Sequence, residues 1–274
     1  MKIEEILQKI WVYISSNIIP ILLEHPVVVL IFLIVFIIIV KRGGEYVNNA
    51  YYQVTKKQLE DVTEDRGTLG EYLIYKKLKK FEKRGARFLF NVYIPRSDGG
   101  TTEIDILMIC HQGIVVFESK NYGGLIFGHE LQSNWCQIFP TGDWKEHREY
   151  FYNPVMQNRM HIRHLKKIVG QQIHTYSVVV FSDKCKLKNI EIESENVHVT
   201  KLDDVKDVVS RICNDFSHKL LNKRERKRIY EVLYPYSQAD KKTKKKHVKK
   251  VRWKSWWWRF FERMWIFLCI DGKW

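Results

Sequence analysis

The sequence predicts an α/β protein with an N-terminal transmembrane helix. Three observations carry this prediction. From Val27 to Val40 all 14 residues are apolar. Between Thr102 and Asn121 apolar residues fall with the period of two that marks β-strands, on either side of His111-Gln112-Gly113, a short connection with Gly at its end. Around these lie helical spacings, as at Ile74, Leu78 and Phe81, and a continuously apolar stretch from Tyr176 to Ser182 of the kind found in a buried sheet.

With 274 residues the chain is long enough for one good core with ends to spare. Its net charge of +15 favours anionic partners, meaning nucleic acid or an anionic membrane surface. The five cysteines show no C-x-x-C spacing, which argues against a zinc finger. Their odd number and low density argue against a disulfide framework, so reduced thiols in a cytoplasmic domain are expected.

A bilayer needs roughly 20 apolar residues. Extending the run back to Ile21 reaches that length at the cost of including Glu24, His25 and Pro26, so a transmembrane helix is expected at about 21–40 within an N-terminal segment 1–42. A cleaved signal peptide fits less well, because the run starts late and Lys41-Arg42 follows it in place of small residues. A buried core helix fits less well because the run has no polar face. Lys41, Arg42, Lys56 and Lys57 lie after the span and place the main domain in the cytoplasm of a single-pass cell-membrane protein.

Residues 43–63 read as a polar connector, helical in its second half. In the helix that follows, Glu71 lies three, four and seven residues before Ile74, Tyr75 and Leu78. It therefore borders the apolar face, away from Lys76, Lys77, Lys79 and Lys80. Gly67 and Gly70 ahead of it permit close backbone approach. Phe88 to Pro95 reads as a strand and S-D-G-G-T-T as a turn. After the hairpin, Gly123-Gly124 leads into further β structure with Trp135 as a packing aromatic, and residues 140–152 read as a charged aromatic loop. Asn153-Pro154 is a helix start, Asn as cap and Pro at the first position. Residues 183–240 complete the domain with a strand at Val197 to Thr200 and two helices within 202–233.

From Lys241 the composition changes to a basic run followed by S-W-W-W-R-F-F-E-R-M-W-I-F. Trp and Phe beside Arg and Lys predict an interfacial membrane segment at 253–270, with the polybasic run attracted to anionic lipid. A stacking platform for nucleic acid or a helix packed on the domain are the other readings.

The chemistry concentrates in the hairpin. Ile104, Ile106, Met108 and Cys110 share one face of its first strand and Asp105 takes the other. Glu118 and Lys120 are two apart on the second strand and point the same way. Charge buried in a sheet is costly unless it pairs or binds something. Two carboxylates close in space repel unless a cation lies between them. Mg²⁺ (or Mn²⁺) suits such a pair, since it takes one or two carboxylates, several waters and substrate phosphate oxygens. Lys120 is then placed to lower the pKa of an attacking water or to stabilise developing negative charge. Glu71 is placed to bind metal directly, to hold a metal water or to orient Lys120. Other readings stay open on the residues alone. Glu118 and Lys120 can form an ion pair at a strand end, Glu103 shares a strand face with Asp105, and Gln157 can be a surface amide. His161 and His164 lack a third partner for metal. Arg159, Arg163, Lys166 and Lys167 form either a phosphate-contacting or a solvated helix face.

The order of these motifs resembles the PD-(D/E)XK nuclease superfamily and, more closely, the nuclease-related (NERD) domain. The matching elements are G-x-x-G-E at 67–71, T-E-I-D at 102–105, G-I-V-V-F-E-S-K-N at 113–121, G-x-x-x-G at 124–128, Trp135 and N-P-V-x-Q at 153–157. The resemblance spans about 64–182. It implies a restriction-endonuclease-like core, a mixed sheet flanked by helices, and Mg²⁺-dependent processing of DNA. It marks Glu71, Asp105, Glu118 and Lys120 as the active site, the three acids as metal ligands, Asp105 over Glu103, and Gln157 as an accessory polar residue. The expectation is a membrane-anchored nuclease that hydrolyses DNA phosphodiester bonds. The rival is a tethered, non-catalytic module that binds nucleic acid or protein.

Overall fold

The structure, a computed structural model, describes residues 24–139 and 147–239 together with residues 8, 11–18 and 20. The expected interfacial segment 253–270 lies outside the described residues. The chain divides into two units, Met1–Asn49 and Ala50–Trp274.

In the first unit one helix, α1 (Pro26–Val47), is long and apolar enough to cross a membrane. Its 22 residues extend about 33 Å at 1.5 Å per residue, against a hydrocarbon core of about 30 Å. Val27, Leu30, Phe32 and Phe36 on it are exposed. The helix differs from the expected span at both ends. It starts at Pro26, because proline fits the first helical position, where its missing N–H costs nothing. It continues through Gly43-Gly44, within the stretch read as connector, to Val47 and stops at the Asn48-Asn49 pair.

The second unit is a mixed α/β fold with two mixed sheets flanked by helices. Short helices α2 (Ala50–Thr55) and α3 (Leu59–Glu64) lead into α4 (Arg66–Leu78). Strands β1 (Arg87–Pro95), β2 (Thr101–Cys110) and β3 (Gly113–Lys120) form an antiparallel meander. Helix α5 (Pro154–Val169) crosses over to β7 (Thr175–Phe181), which lies parallel to β3, and β9 (Val197–Lys201) lies parallel to β7. The first sheet therefore runs β1-β2-β3-β7-β9. Its central strands are continuous runs of Ile, Val, Leu and Phe because both faces are covered. α4 packs on β2 and β3, and α5 packs across β1, β2, β3 and β7. The C-terminal helices α6 (Val205–Cys213) and α7 (Lys223–Ser237) pack on α4 and β9, and on β1 and β2, respectively.

The second sheet was not legible as such. It runs β6-β5-β4-β8 from β4 (Gly124–His129), β5 (Asn134–Phe139), β6 (His147–Tyr152) and β8 (Cys185–Glu191). Residues 147–152, expected as loop, pair antiparallel with β5 from Asn134↔Tyr152 to Phe139↔His147. Both unforeseen strands, β6 and β8, are edge strands whose charged residues face solvent, so neither carries a clean apolar alternation. The two sheets share a core in which the Trp135 and Phe181 rings stack with centroids 6.1 Å apart over Val155 and Ile126. Gly128 makes room for that indole. A Cβ there would fall 2.1 Å from the Trp135 ring.

Candidate active site

The site lies where the first sheet opens. The β1–β2 ladder runs the full length from Arg87↔Ile109 to Pro95↔Thr101. The β2–β3 ladder starts at Cys110↔Gly113 and ends at Ile106↔Phe117. β3 continues against β7 as far as Lys120↔Phe181. β2 and β3 thus part company just where the next residues would be Asp105 and Glu118. In place of a backbone bond, the Asp105 Oδ2 accepts the Ser119 N–H at 2.8 Å. The carboxylate plugs the fork and satisfies a donor that the lost ladder would leave open.

Helix α4 brings Glu71 from one side. Asp65 caps it, accepting from the Thr68 N–H at 2.7 Å, and the Asn121 amide donates to the Arg66 carbonyl at 2.8 Å. Gly70 sets the approach, since a Cβ there would stand 2.7 Å from the Ser119 Oγ. Gly67 has no such role, its nearest neighbour being the capping Asp65 carboxylate at 3.4 Å. The Glu71 carboxylate accepts from the Asn91 side chain at 2.8 Å. Asn91 occupies the β1 position facing Asp105 in register, with φ of 50°, a left-handed conformation that Asn tolerates better than most residues. The Lys57 Nζ donates to Thr68 Oγ1 at 3.0 Å, and its charge also acts on Glu71.

Helix α5 closes the other side. Its cap, Asn153, is fully buried and serves both helix and sheet. The Asn153 Oδ1 accepts from the Val155 and Met156 N–H groups, while its Nδ2 donates to the carbonyls of His129, Glu130 and Gln132. Asn158 donates to the Val116 carbonyl at 2.8 Å and to Ser177 Oγ at 2.9 Å, which pins the helix over β3 and β7. One turn apart on the same face come Gln157 and His161. The Lys120 Nζ donates to Glu118 Oε1 at 2.6 Å and to Gln157 Oε1 at 3.1 Å. The His161 Nε2 stands 3.3 Å from Glu118 Oε2, and its Nδ1 meets Thr102 Oγ1 at 2.7 Å.

The charges divide into two groups. Burial pushes Glu118 up, but Lys120 and His161 outweigh it and hold the carboxyl below its ordinary value. Burial lowers Lys120, and Glu118 more than offsets that, so the ammonium is held on. Asp105 lies well above the carboxylate range, from burial and then from the neighbouring charges of Glu118 and Glu71. Burial raises Glu71 to about 7, against the pull of Lys57 and Asn91. Their surroundings thus favour the charged forms of Glu118 and Lys120 and disfavour those of Asp105 and Glu71, a cost that a cation would offset.

The residues fit a hard divalent cation. Every candidate donor is a carboxylate oxygen, which suits Mg²⁺ and not a softer metal. The mutual repulsion of Asp105 with Glu118 and Glu71 is the cost a cation removes. Glu118 Oε2 is buried without a hydrogen-bond partner, an acceptor held in reserve. Among the described residues no three His, Cys, Asp or Glu side chains already converge as a full ligand set. Mg²⁺ does not need one, since waters and substrate oxygens complete its shell.

Of the residues expected from sequence, Asp105, Glu118, Lys120 and Gln157 meet at the fork, and Glu71 joins them beside Asn91. Glu103 is drawn aside, accepting the Tyr93 hydroxyl at 2.6 Å from the facing position on β1. His161, Thr102, Asn91 and Ser119 were not anticipated. The four-residue spacing of His161 from Gln157 was the one available signal.

A family model for the nuclease-related domain matches residues 66–182. An uncharacterized protein of Bacillus anthracis is 32% identical over 184 residues, which cover 67% of this chain and 82% of that protein. The matched segment of the family model takes in every residue of the fork from Glu71 to His161.

Proposed function

Because this chain belongs to the nuclease-related domain family, we propose that it hydrolyses phosphodiester bonds of DNA, with Mg²⁺ as its cofactor, from the cytoplasmic face of a cell membrane. The observation that carries this reading is the fork itself. Two strands of one sheet separate to present Asp105, Glu118 and Lys120 together, with Glu71 arriving from the helix beneath. Asp105 and Glu118 are the residues that would hold the ion, and Glu71 adds a third carboxylate beside them. When bound, the ion supplies a Lewis acid for the phosphoryl oxygen and lowers the pKa of a water.

The protein's own groups do the rest. Lys120 is fixed by Glu118 and Gln157, so its ammonium is preorganised toward negative charge growing on a phosphate. Gln157 holds that side chain from the helix side. His161, held by Thr102, stands beside the second oxygen of Glu118. Because Asp105 and Glu71 are raised, a cation held there would favour their ionised forms, and its affinity would rise with pH. The net charge of +15 favours a polyanionic substrate.

The rival reading, a binding module on the same fold, draws on one observation: no full set of three ligands stands preassembled among the described residues. The test is to incubate the full-length protein with plasmid and linear DNA in Mg²⁺, Mn²⁺ or EDTA. Metal-dependent cleavage that disappears in Lys120→Ala and Asp105→Ala supports the nuclease. DNA binding that is indifferent to EDTA, with no cleavage, sinks it. For the membrane placement, α1 and the tail at 253–270 are the proposed contacts. Protease digestion of residues 50–239 from outside intact cells would overturn the topology.

A further inference from the structure

We propose that this protein carries a second ligand site, for a phosphate-bearing small molecule of nucleotide size, at the end of the β1–β2 ladder away from the fork. The cavity there measures about 400 Å³ and is lined by Glu82, Arg87, Lys223, Arg226 and Tyr230 among others. That size lies within the range of small-molecule sites. None of the fork carboxylates lines it.

The inference rests on Arg226. Arg226 as a residue is 6% exposed, yet among the described residues no carboxylate forms a salt bridge with it. Its Nη1 donates to the Leu221 carbonyl at 2.9 Å, a neutral acceptor. A charge withdrawn from water in this way is costly unless an anion meets it. Gly85 clears the space on its other side. That residue has φ of 82°, and a Cβ there would stand 3.1 Å from Arg226 Nη2. Two more cations, Arg87 and Lys223, line the same cavity. The Arg87 guanidinium lies over the Tyr230 ring, 5.2 Å from its centroid, which fixes its plane. Glu82 is the opposing acid. It already accepts the Tyr75 hydroxyl at 3.3 Å, and burial raises its pKa, so it opposes an anion less than a free carboxylate would. Three cations around a cavity, two of them oriented by Leu221 and Tyr230, suit a phosphate, because it offers several acceptor oxygens to a guanidinium fork.

The experiment is calorimetric titration of the full-length protein, in a non-ionic detergent with EDTA present to silence the fork. The probes are AMP, inorganic phosphate and an unstructured ten-nucleotide DNA. Saturable one-to-one binding of AMP or phosphate is expected, unchanged in Lys120→Ala. Affinity should fall at least tenfold in Arg226→Met. Should that buried substitution fail to fold, Arg87→Gln and Lys223→Ala at the rim should each weaken binding several-fold. No binding of AMP or phosphate at millimolar concentration overturns the proposal. So does binding that both rim variants leave intact, or binding of the oligonucleotide alone. None of these outcomes bears on cleavage at the fork, which is read separately.

Discussion

The His161 Nε2 stands 3.3 Å from Glu118 Oε2, both residues almost fully buried, with the ring held from behind by Thr102 Oγ1 at 2.7 Å. Glu118 therefore has one oxygen committed to Lys120 and one facing an imidazole. His161→Ala removes the imidazole that faces that second oxygen. Loss of a polar group beside a buried charge costs about 1–3 kcal/mol. The expected result is a loss of that size in urea denaturation and a shift of DNA cleavage to higher Mg²⁺ concentration. His161→Gln should recover part of both. An unchanged Mg²⁺ midpoint in His161→Ala would show that the histidine does not position the carboxylate.

Lys120→Ala removes the ammonium held by Glu118 and Gln157. Loss of one preorganised stabiliser of transition-state charge typically costs about 10²–10³-fold in rate. A fall of that order is expected in single-turnover cleavage. The variant also strips Glu118 of its partner, so the Mg²⁺ requirement should be measured alongside to separate chemistry from metal binding. A rate within a few-fold of the parent would remove Lys120 from the chemistry.

Glu71 sets a pH dependence of stability. Burial raises its pKa from 4.5 to about 7. Between those values the folded protein binds more protons at this site than the unfolded chain does. Its contribution is thus fully present below pH 4.5 and is lost as pH rises through about 7, on the order of 3 kcal/mol in all. Asp105 is shifted in the same direction. Melting temperature in EDTA should fall across that window, and Glu71→Gln should flatten the fall and raise stability at pH 8. Added Mg²⁺ should stabilise the parent more at pH 8 than at pH 5.5. A parent curve that is flat or rising from pH 5 to 7.5, with Glu71→Gln superimposed on it, would contradict the assignment.

Gly70→Ala tests how closely α4 approaches β3. The new methyl would stand 2.7 Å from Ser119 Oγ, so the hydroxyl must rotate away or the helix must shift. Overpacking of this kind costs about 1–3 kcal/mol. A helix shift would displace the neighbouring Glu71, so cleavage should then fall more than stability alone explains. The double variant Gly70→Ala with Ser119→Ala should restore stability, and no recovery there would mean that the contact is not what strains the fold.

Asn153→Ala removes a helix cap and, with it, the donor shared by three carbonyls of the β4–β5 turn. The cap alone is worth about 1 kcal/mol, and the bared carbonyls add to it, so a loss of at least about 2 kcal/mol is expected in chemical denaturation. Asn153→Asp should keep the cap and lose the carbonyl contacts, falling between the two.

Much of the fold was legible because its signals are local. The period of two in Thr102 to Asn121, the Asn-Pro start of α5 and the apolar run of α1 each follow from neighbouring residues. β6 and β8 were not legible, because an edge strand turns few residues to the core (Phe151 in one, Cys185, Leu187 and Ile190 in the other) and sets charged ones between them. Gly43-Gly44 was read as the start of the connector, yet the helix runs through it. Glycine lowers helix propensity by only about 1 kcal/mol, and no proline or turn sequence enforces a stop there.

The same division holds for the site. By itself the sequence determined which residues carry charge into an apolar hairpin: Asp105 on one strand, Glu118 and Lys120 two apart on the next, and Glu71 on the apolar border of a helix. Those statements need only the geometry of single elements. The tertiary structure decided what the charges do to one another. It ended the β2–β3 ladder at Ile106↔Phe117, turned Asp105 onto the Ser119 N–H, and drew Glu103 away to Tyr93. It also brought His161 to Glu118 across 43 residues of chain. Contacts of that separation depend on how helix α5 lies on the sheet, and that is set by Asn153, Asn158 and the Trp135 core together, not by any one stretch of sequence.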